Sequence, residues 1–593
     1  MRRAPWVIAL ATGLVLTGCG IPDNTEVRPL RPGPSTGVSA GDDTAPARNL
    51  RADTQDPTQF VRNFLEAPAG DFEGAAERVK QFLSPAAAAA FKATEIRVVR
   101  LTESPLIEPG TDQVTINAQT VGTLGPNGVL EPAGGRPDRY DMVIGGLEGQ
   151  QGLFVTTAPP VLLLSVEALN KFYRQRTIYF WNRDHTALVP DLRYLSLNLP
   201  TEQQPTEIID WLTSGPSPLV EDVVDPHPKD IKPIGNVPAT SDGTLQISLS
   251  TQAVAPDDPV ALDRLQKQLR WSLGPNLSGA LELTVEQQFD RRRYTGTDHL
   301  TSNPAYRQVT EPERFVVYGG RIRRLNRSYN AAQPVPVIKP EADKGVVTAA
   351  ISYAGSRFWA ALVVDESRGR KALRVGAAAP AQQADLRRVG GLPAQLGRPS
   401  WARSPQGLDA DTVGLIPAQG KLYWFRPGGA SAAEVGWPGR PRGITAVAVA
   451  PDAHRVAVLA AGRLYVAGLI GDEDGTQITK ARLIATRLTG LTAVDWSSEG
   501  MLVVAGKQPD SNRSAIAEVS IDGAIQTDRI SDLGSNPVTH LAALPAGPTQ
   551  SETGAIAYVL NGVAYDEVNP DRIGVDDLAE PVADPPQGVL PTA

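Results

Sequence analysis

A repeat of 47 or 48 residues runs through the C-terminal half of this chain and restricts its fold more than any other feature. Its equivalent positions are Tyr353, Trp401, Val449, Trp496 and Ala543. Each lies in a short segment of small or aromatic residues, and each segment continues into an apolar run of strand length. A period in the forties with this pattern is typical of a β-propeller blade. The repeat therefore predicts a propeller over residues 346–572, with a β-solenoid as the alternative architecture.

Two further segments flank the repeats. Phe315–Arg323 contains an apolar run, a Gly-Gly turn and a second strand-like run, which is the pattern of one more blade hairpin. It predicts either a sixth blade or a closure strand, so we expect five or six blades, with 301–345 as a connector that contains this hairpin. Residues 573–593 are acidic and Pro-rich, and this composition predicts a disordered tail.

Residues 55–175 predict a separate α+β domain. Asp56-Pro57 and Ser84-Pro85 are helix-start pairs, and the helical segments come before strand-like segments that extend from Ile96 to Ser165. Helices followed by a meander of strands indicate an α+β domain. The order resembles the nuclear-transport-factor-like cone, in which a curved sheet wraps helices. The resemblance implies a fold that often has a pocket, but no pair of ionisable residues stands out as a site within it.

Residues 176–300 predict a second, smaller α+β module, in which strands at Leu245–Leu249 and Leu281–Val285 flank an amphipathic helix. The helix begins at Asp258-Pro259 and ends before Gly274-Pro275. The motifs that carry a family resemblance are Tyr179-Phe180, Leu188-Val189-Pro190, Trp211–Pro216 and the helix face Leu262–Leu273. Their succession resembles the GerMN module of spore-germination and envelope proteins. The resemblance implies an interaction domain without catalytic residues.

The N-terminus has the pattern of a lipoprotein signal peptide. Met1-Arg2-Arg3 is basic, Val7–Leu16 is apolar but too short to span a bilayer, and Leu16-Thr17-Gly18-Cys19 places small residues before the chain's only cysteine. A peptidase that cuts before Cys19 leaves a thiol for a diacylglycerol and an α-amine for an acyl chain. The pattern predicts a signal peptide over 1–18 and lipidation of Cys19. The alternative is an ordinary secretory signal followed by a free thiol.

Residues 19–54 predict a flexible tether, because they are polar and rich in Pro, Gly, Asp and Thr. A tether of about 35 residues has a reach of roughly 30–35 Å. No later segment offers an 18-residue apolar run, so we expect everything after Cys19 to lie outside the membrane, on its extracytoplasmic face. With Cys19 lipidated, no cysteine remains for a disulfide. The net charge of −8 argues against nucleic acid as a partner.

The sequence assigns no catalytic, cofactor-binding or metal-binding residue. It shows no nucleophile–base arrangement or nucleotide-binding motif, and its five histidines are scattered. The match of Gly33–Gly37 to G-x-S-x-G lies in the tether, without the strand and helix that this motif needs. Gly471–Gly475 bunches three carboxylates, which indicates either an acidic hairpin tip or a Ca²⁺ site that lacks EF-hand spacing. Asp290–Tyr294 and the arginines of Arg321–Arg324 form a basic cluster that could dock an anionic partner or pack at a domain junction.

The expected fold class is therefore multidomain and mainly β with α+β domains. It has an N-terminal cone-like α+β domain, a GerMN-like α+β module and a C-terminal β-propeller. Taken together with the Cys19 motif and the tether, this order resembles the LpqB family of actinobacterial cell-envelope lipoproteins over essentially the whole chain. Of the family's functional residues, only Cys19 carries over.

The resemblance implies an accessory protein of the MtrA–MtrB two-component system, anchored to the plasma membrane through lipid on Cys19. Its partner would be the extracytoplasmic domain of an MtrB-like sensor histidine kinase, and its effect would be on cell division and cell-wall homeostasis. This role requires neither an enzymatic activity nor a cofactor.

Two other functions stay open at this point. A propeller lipoprotein that binds or processes cell-wall glycan would gather aromatic and carboxylate side chains at one mouth of the propeller. A receptor that feeds a transporter is disfavoured, because its two α/β lobes would alternate strands with helices, whereas this chain ends in repeated strands.

Overall fold

The computed structural model of this chain describes residues 50–592 apart from several short segments. The segments outside the described residues are 1–49, 52–53, 109–110, 227–236, 238–243, 251–257, 278–279, 286–290, 308–312, 327–331, 367–368, 472–474, 551–553, 568–571, 581, 583–588 and 593. The described residues form an α+β domain, an α+β module and a β-propeller, in that order. The predicted fold class is therefore confirmed.

The N-terminal domain begins with helices whose starts are set by capping side chains. The Asp56 carboxylate accepts a hydrogen bond from the Thr58 N–H at 3.1 Å, and the Ser84 hydroxyl accepts one from the Ala87 N–H at 3.2 Å. Proline follows each cap, where its missing N–H costs nothing. The elements of the domain are α1 (Pro57–Glu66), α2 (Ala75–Lys80), α3 (Pro85–Ala90), β1 (Ile96–Leu101), β2 (Leu106–Ile107), β3 (Gln113–Leu124), β4 (Leu130–Gly146), β5 (Leu153–Thr157), β6 (Leu162–Ser165) and α4 (Val166–Phe172).

These helices pack on one six-stranded sheet. Its strand order is β5-β4-β3-β1-β6, with β2 paired to β3, and only β1 and β6 are parallel. A bulge at Val98/Val99 and another at Thr120/Gly122 add bend to the sheet. The apolar face of α1 is buried in the same core as the sheet.

The second domain combines a hairpin with a small mixed sheet. Its elements are β7 (Tyr173–Trp181), β8 (Leu188–Ser196), α5 (Gln204–Ser214), β9 (Leu245–Leu249), α6 (Pro259–Ser272), β10 (Leu281–Val285) and β11 (Arg291–Tyr294). β10 lies between β9, to which it is parallel, and β11, to which it is antiparallel. Helix α6 packs on β7 and β10 and buries Leu262, Leu265 and Leu269 in the core, as predicted.

The propeller occupies the rest of the described chain. Its strands are β12 (Phe315–Tyr318), β13 (Arg321–Arg324), β14 (Val337–Ile338), β15 (Val346–Ala354), β16 (Arg357–Glu366), β17 (Arg370–Ala378), β18 (Gln383–Ala384), β19 (Arg387–Arg388), β20 (Ser400–Ala402), β21 (Val413–Ala418), β22 (Lys421–Phe425), β23 (Ala433–Glu434), β24 (Ile444–Val449), β25 (Arg455–Ala460), β26 (Arg463–Gly471), β27 (Thr476–Ile478), β28 (Arg482–Leu483), β29 (Thr489–Trp496), β30 (Met501–Lys507), β31 (Ser514–Ser520), β32 (Gln526–Ile530), β33 (Val538–Ala543), β34 (Ile556–Leu560), β35 (Val563–Asp566) and β36 (Val589–Thr592).

Five of its sheets correspond to the five sequence repeats. Each is an antiparallel meander that begins with the strand nearest the axis, which we call strand A and which is β15, β20, β24, β29 or β33. The next strand of each sheet is strand B. Consecutive A strands contact one another, so they line the channel of the propeller.

The sixth sheet joins two distant parts of the sequence. Its order is β13-β12-β36, and β36 contacts both β15 of the first repeat and β33 of the fifth. Among the described residues the ring thus has six blades, and β36 supplies the innermost strand of the last one. Such closure covers the edge of β12, which would otherwise present unpaired backbone groups.

The interpretation of residues 573–593 as a disordered tail is wrong for its described part. Residues Val589–Thr592 pair with Phe315–Tyr318 in antiparallel register, and Ile573 and Leu578 are buried beside the same sheet. The acidic, Pro-rich composition gave no sign of this strand, because four residues are too few to change the average composition of the segment. The hairpin in 301–345 is a blade component, one of the two options that the sequence left open.

Tryptophans at the repeat positions tie neighbouring blades together. The Trp496 side chain is fully buried, and its Nε1–H donates to the Ala448 carbonyl of the preceding blade at 3.0 Å. Trp401 donates in the same way to the Ala350 carbonyl at 3.2 Å. The aromatic positions of the repeat therefore fill the space between blades and also satisfy a backbone acceptor there.

Glu499 joins the second domain to the propeller. It lies in the turn between strands A and B of the fourth repeat and is 6 % exposed. Its carboxylate accepts hydrogen bonds from the Tyr179 hydroxyl of β7 and from the Asn303 amide, each at 2.8 Å. Its carbonyl accepts a third from Arg455 of the neighbouring blade at 2.6 Å. One buried residue thus holds the second domain, the connector and two blades.

The N-terminal domain is attached to the same side of the propeller. The Arg100 guanidinium of β1 donates to the Gly523 carbonyl at 2.6 Å, and Ala485 and Ala524 of the propeller belong to the apolar core of the N-terminal domain. Because these contacts are buried, we expect the three domains to move as one body.

We predict that Trp496→Phe lowers the free energy of unfolding by about 2 kcal/mol, because it leaves a gap between blades and a buried carbonyl without its donor. Denaturant unfolding of the full chain, followed by circular dichroism, measures this change. The matched control is Trp424→Phe, at a half-buried position outside the blade-to-blade bond, for which we expect a change well under half as large. Equal decreases in the free energy of unfolding for the two variants would contradict the role of Trp496 in linking neighbouring blades.

We also predict a pH-dependent effect of Glu499→Gln. Burial raises the pKa of the Glu499 carboxyl, and the hydrogen bonds from Asn303 and Tyr179 offset this only in part. The folded state therefore retains the proton to higher pH than the unfolded state, in which the pKa of a glutamate is about 4.3. The parent chain loses stability as pH rises through the folded pKa.

The neutral amide of the variant avoids this loss and can still bond both neighbours. We expect Glu499→Gln to be more stable than the parent at pH 7–8, with the difference shrinking towards pH 4.5. Parallel denaturation curves across this pH range measure the difference. Glu77→Gln, whose side chain is 71 % exposed, is the control and should change stability little throughout. A stability difference between Glu499→Gln and the parent that grows as pH falls would contradict a raised pKa for Glu499.

Candidate functional site

The A strands enclose a cavity of about 420 Å³ at the end of the channel where each strand A turns into strand B. We call this end the A–B mouth. Small side chains line much of its wall, namely Ala350, Ser352, Ser400, Ala448 and Ala450. Small-molecule sites in proteins commonly have volumes of about 300–1,000 Å³, so the cavity is large enough to hold a ligand.

Arg398 and Asp495 bring opposite charges into this cavity from different blades. The Arg398 Nη1 donates to the Leu541 carbonyl of the fifth repeat, and its Nη2 lies 3.6 Å from the Asp495 Oδ2 of the fourth. The Arg398 side chain is 22 % exposed and that of Asp495 is 16 % exposed. The guanidinium thus reaches from the second repeat across the channel.

Asp495 has a structural role besides its charge. Its carboxylate accepts the Trp496 N–H at 3.0 Å and the Ala543 N–H of the next blade at 3.1 Å. Burial raises the pKa of Asp495, while Arg398 and these two backbone donors act in the opposite direction. Ser400 makes the equivalent bond between the second and third blades, where its hydroxyl accepts the Val449 N–H at 3.1 Å.

Two more basic side chains flank the pair. Burial, together with the charges of Arg398 and Lys371, lowers the pKa of His540 to about 4, so this imidazole is neutral at neutral pH. Arg403 donates to the Tyr353 carbonyl at 2.9 Å, and burial lowers the pKa of Arg403 to about 10. Arg403 therefore still carries its charge near pH 7.

The rim of the A–B mouth exposes apolar surface. Tyr353 is 45 % exposed and Leu408 is 51 % exposed. The Tyr353 ring packs on Phe358 with 4.7 Å between ring centroids. The Arg357–Asp409 ion pair joins the A–B hairpin of the first blade, which carries Tyr353, to the A–B turn of the second blade, which carries Leu408, so the two lie on one surface. We call Tyr353 and Leu408 the rim patch.

The sequence singled out neither Arg398 nor Asp495 as a site residue. A signal was nevertheless available in the repeat. The residue three places before each repeat position is alanine in the first, third and fourth blades, namely Ala350, Ala446 and Ala493. The same position is Arg398 in the second blade and His540 in the fifth. Positions at which one blade departs from its copies are candidates for function, because the fold itself is satisfied by alanine there.

The residues that the sequence did single out lie elsewhere. Cys19 and the acidic residues 472–474 are outside the described residues. The basic cluster is divided between two domains, with Arg291–Tyr294 in β11 and Arg321–Arg324 in the sixth blade. Arg323 pairs with Glu580 at 3.0 Å and Arg324 pairs with Glu313, which fits packing at a junction.

In the part of the chain that the structure describes, no group of three or more His, Cys, Asp and Glu side chains is placed to hold a metal ion. None of the described helices combines the length and the apolar character needed to cross a membrane.

Three family models match this chain. The model described as lipoprotein LpqB, N-terminal domain, matches residues 51–165, and the lipoprotein LpqB beta-propeller domain matches 320–555. Between them, residues 177–289 match the Germane model, described as sporulation and spore germination. The order and positions of these matches correspond to the three domains of the fold.

Relatives of similar length carry the same name. Lipoprotein LpqB of Mycolicibacterium smegmatis is 25 % identical over 98 % of this chain and 99 % of its own length. Lipoprotein LpqB of Mycobacterium leprae is 24 % identical over 93 % of this chain and 95 % of its own length. Among solved structures, TolB from Acinetobacter baumannii covers 57 % of this chain and 88 % of its own, at 12 % identity and a TM-score of 0.30, which supports no functional argument.

The two LpqB models together match more than half of the chain, and the relatives match nearly all of it. The chain therefore belongs to the LpqB family of lipoproteins.

Proposed function

We propose that this protein is a lipid-anchored accessory regulator of an MtrB-like sensor histidine kinase, acting at the extracytoplasmic face of the plasma membrane. In this role it binds the extracytoplasmic domain of the kinase and influences cell division and cell-wall homeostasis. It acts as a binding protein and not as a catalyst. The link to the kinase comes from the resemblance to the LpqB family.

The observation that carries the proposal is an apolar rim on a body whose domains are fixed to one another. Glu499 and Arg100 hold the second and N-terminal domains against the propeller through buried hydrogen bonds. The rim patch, Tyr353 and Leu408, is exposed beside the channel. Exposed apolar side chains on a rigid surface lose little entropy on binding, and this favours a protein partner there.

Anchoring through Cys19 would confine this body near the kinase. Lipid on Cys19 and the tether 19–54 would hold the protein within tens of ångströms of the membrane. Arg51, at the end of the tether, donates to the Gln151 carbonyl at 2.8 Å, and its guanidinium lies 3.8 Å from the centre of the Phe154 ring. The tether therefore joins a fixed point on the N-terminal domain. Confinement raises the effective concentration, so a modest affinity for the kinase would suffice.

Regulation also requires a difference between two kinase states. A ligand shifts a conformational equilibrium only by the ratio of its affinities for the two conformations. The rigid body suits this requirement, because a fixed surface fits one arrangement of a partner better than another.

Binding of cell-wall glycan is the second candidate function. It predicts several aromatic and carboxylate side chains free at one mouth. At the A–B mouth Tyr353 is exposed, but Trp401 and Trp496 are buried and hydrogen-bonded between blades. The carboxylates of Asp495 and Glu313 are engaged by arginines. Tyr353 is thus the one exposed aromatic side chain among the described residues that line this mouth, and this favours glycan less than a protein partner.

We expect the lipidated chain in detergent to bind the purified extracytoplasmic domain of the kinase with a saturable calorimetric signal. At saturation, the chain should change kinase autophosphorylation in reconstituted vesicles. Tyr353→Ser with Leu408→Ser should weaken binding about tenfold or more, because truncating an apolar anchor commonly costs over 1 kcal/mol.

The matched control is Leu106→Ser with Val260→Ser, which removes two similarly exposed apolar side chains from the other domains. The control variant should bind as the parent does. Absence of heat with the parent chain would overturn the kinase proposal, and retention on purified cell wall would then favour glycan. Equal weakening by both double variants would overturn the assignment of the rim patch.

We further expect Cys19→Ser to abolish incorporation of labelled palmitate and to release the protein from the membrane fraction. Only a thiol accepts the diacylglycerol, so a hydroxyl of nearly the same size cannot replace it. Ser35→Ala, in the tether, should leave both readouts unchanged. Continued labelling of Cys19→Ser would contradict lipidation at this residue.

A further inference from the structure

We propose that the A–B mouth cavity is a binding site for the carboxylate of an extended peptide, with the Arg398 guanidinium as its anion partner. This site shares Tyr353 with the rim patch, but its anion partner is Arg398 and it does not depend on the kinase. Carboxylate binding at Arg398 is measured without the kinase, so its outcome does not depend on kinase binding.

Arg398 is not required by the blade architecture. The equivalent positions of the first, third and fourth repeats are the alanines Ala350, Ala446 and Ala493, and those blades form the same A–B hairpin. A long charged side chain in a channel loses rotamer entropy and hydration. The presence of this arginine in the second blade only therefore indicates that Arg398 has a function other than packing.

The guanidinium retains capacity to bind a ligand. Among the described residues, Arg398 has one hydrogen-bond acceptor, the Leu541 carbonyl. The distance of 3.6 Å between Nη2 and the Asp495 Oδ2 is too long for a hydrogen bond. A guanidinium has five N–H donors, and its fork geometry matches the two oxygens of a carboxylate. Arg398 is one of the residues that line the cavity.

The charges around the cavity favour a single negative charge on the ligand. Among the described residues, the charged side chains that line it are Glu313, Arg398, Arg403 and Asp495. Arg324 pairs with Glu313 from outside the cavity, and Asp495 balances one of the two lining arginines. Among these described side chains, one positive charge is left without a counter-charge. The nearby Asp495 would repel a doubly charged phosphate more strongly than a carboxylate.

The side chains that line the cavity favour a peptide as the ligand. Alanine and serine side chains leave room for a main chain, and Ser352 and Ser400 bring hydroxyl groups to the wall. Tyr353 offers an aromatic surface at the entrance. A sugar would instead need several exposed aromatic faces, and Trp401 and Trp496 are buried between blades.

The test is calorimetric titration of the full lipidated chain in detergent with N-acetyl-tetra-alanine, whose only charge is its terminal carboxylate. A second probe, N-acetyl-Ala-Ala-Glu-Ala amide, has its carboxylate on a side chain and distinguishes the two sources of this group. The amide of the first probe has no charge and should not bind. Binding of either carboxylate probe but not of the amide supports the proposal.

Two substitutions in the cavity should act in opposite directions. Arg398→Ala should weaken binding at least about tenfold, which corresponds to about 1.4 kcal/mol. Since three blades already carry alanine at this position, the variant should fold. Asp495→Asn keeps an acceptor oxygen for one of the two backbone N–H groups and removes the competing charge, so it should tighten binding several-fold.

Arg513→Ala is the matched control, because Arg513 is an exposed, ion-paired arginine at 2.7 Å from Asp532 on the same propeller. It should leave binding unchanged. Equal affinity for the carboxylate probe and its amide would overturn the proposal, and so would undiminished binding by Arg398→Ala. Binding of chitobiose in place of both peptide probes would assign the cavity to glycan and overturn it as well.

Discussion

The buried carboxylate of Glu499 is the interaction on which the arrangement of this molecule depends. The carboxylate accepts hydrogen bonds from the second domain and from the connector, and the main-chain carbonyl of Glu499 accepts one from Arg455 of the preceding blade. A buried charge is costly unless its oxygens are satisfied, so the domains gain this contact only when all of the partners are in place. The junction therefore favours one relative position of the second domain and the propeller.

Closure of the ring sets the other constraint. The A strands surround a channel only because β36 returns to the sheet that β12 and β13 begin. Blade-to-blade bonds from Trp401, Trp496, Ser400 and Asp495 then hold neighbouring A strands at fixed spacing. The A–B mouth, with the rim patch and the Arg398 cavity, is a consequence of this closed ring. Both proposed binding sites therefore lie on rigid strands and their turns.

Much of this architecture could be predicted from local signals. The capping pairs at Asp56 and Ser84, the leucine face of α6 and the repeat at Trp401 and Trp496 are patterns of adjacent residues, and each matches an observed element. The closure strand could not be predicted, because its pairing with Phe315–Tyr318 spans most of the propeller sequence. The cavity also depends on distant residues, since Arg398 meets Asp495 only after the ring closes. Local patterns carry no information about such encounters.

Hydrogen–deuterium exchange of the full chain, with and without the kinase extracytoplasmic domain, tests the central claim most directly. That claim is that a rigid three-domain body binds the kinase at the A–B mouth. We expect slower exchange at residues 353–358 and 403–412 when the kinase domain is bound, and unchanged exchange at the Glu499 turn. Protection confined to the N-terminal or second domain would contradict the proposed face. Faster exchange at the Glu499 turn would show that the domains separate, and would contradict the rigid body.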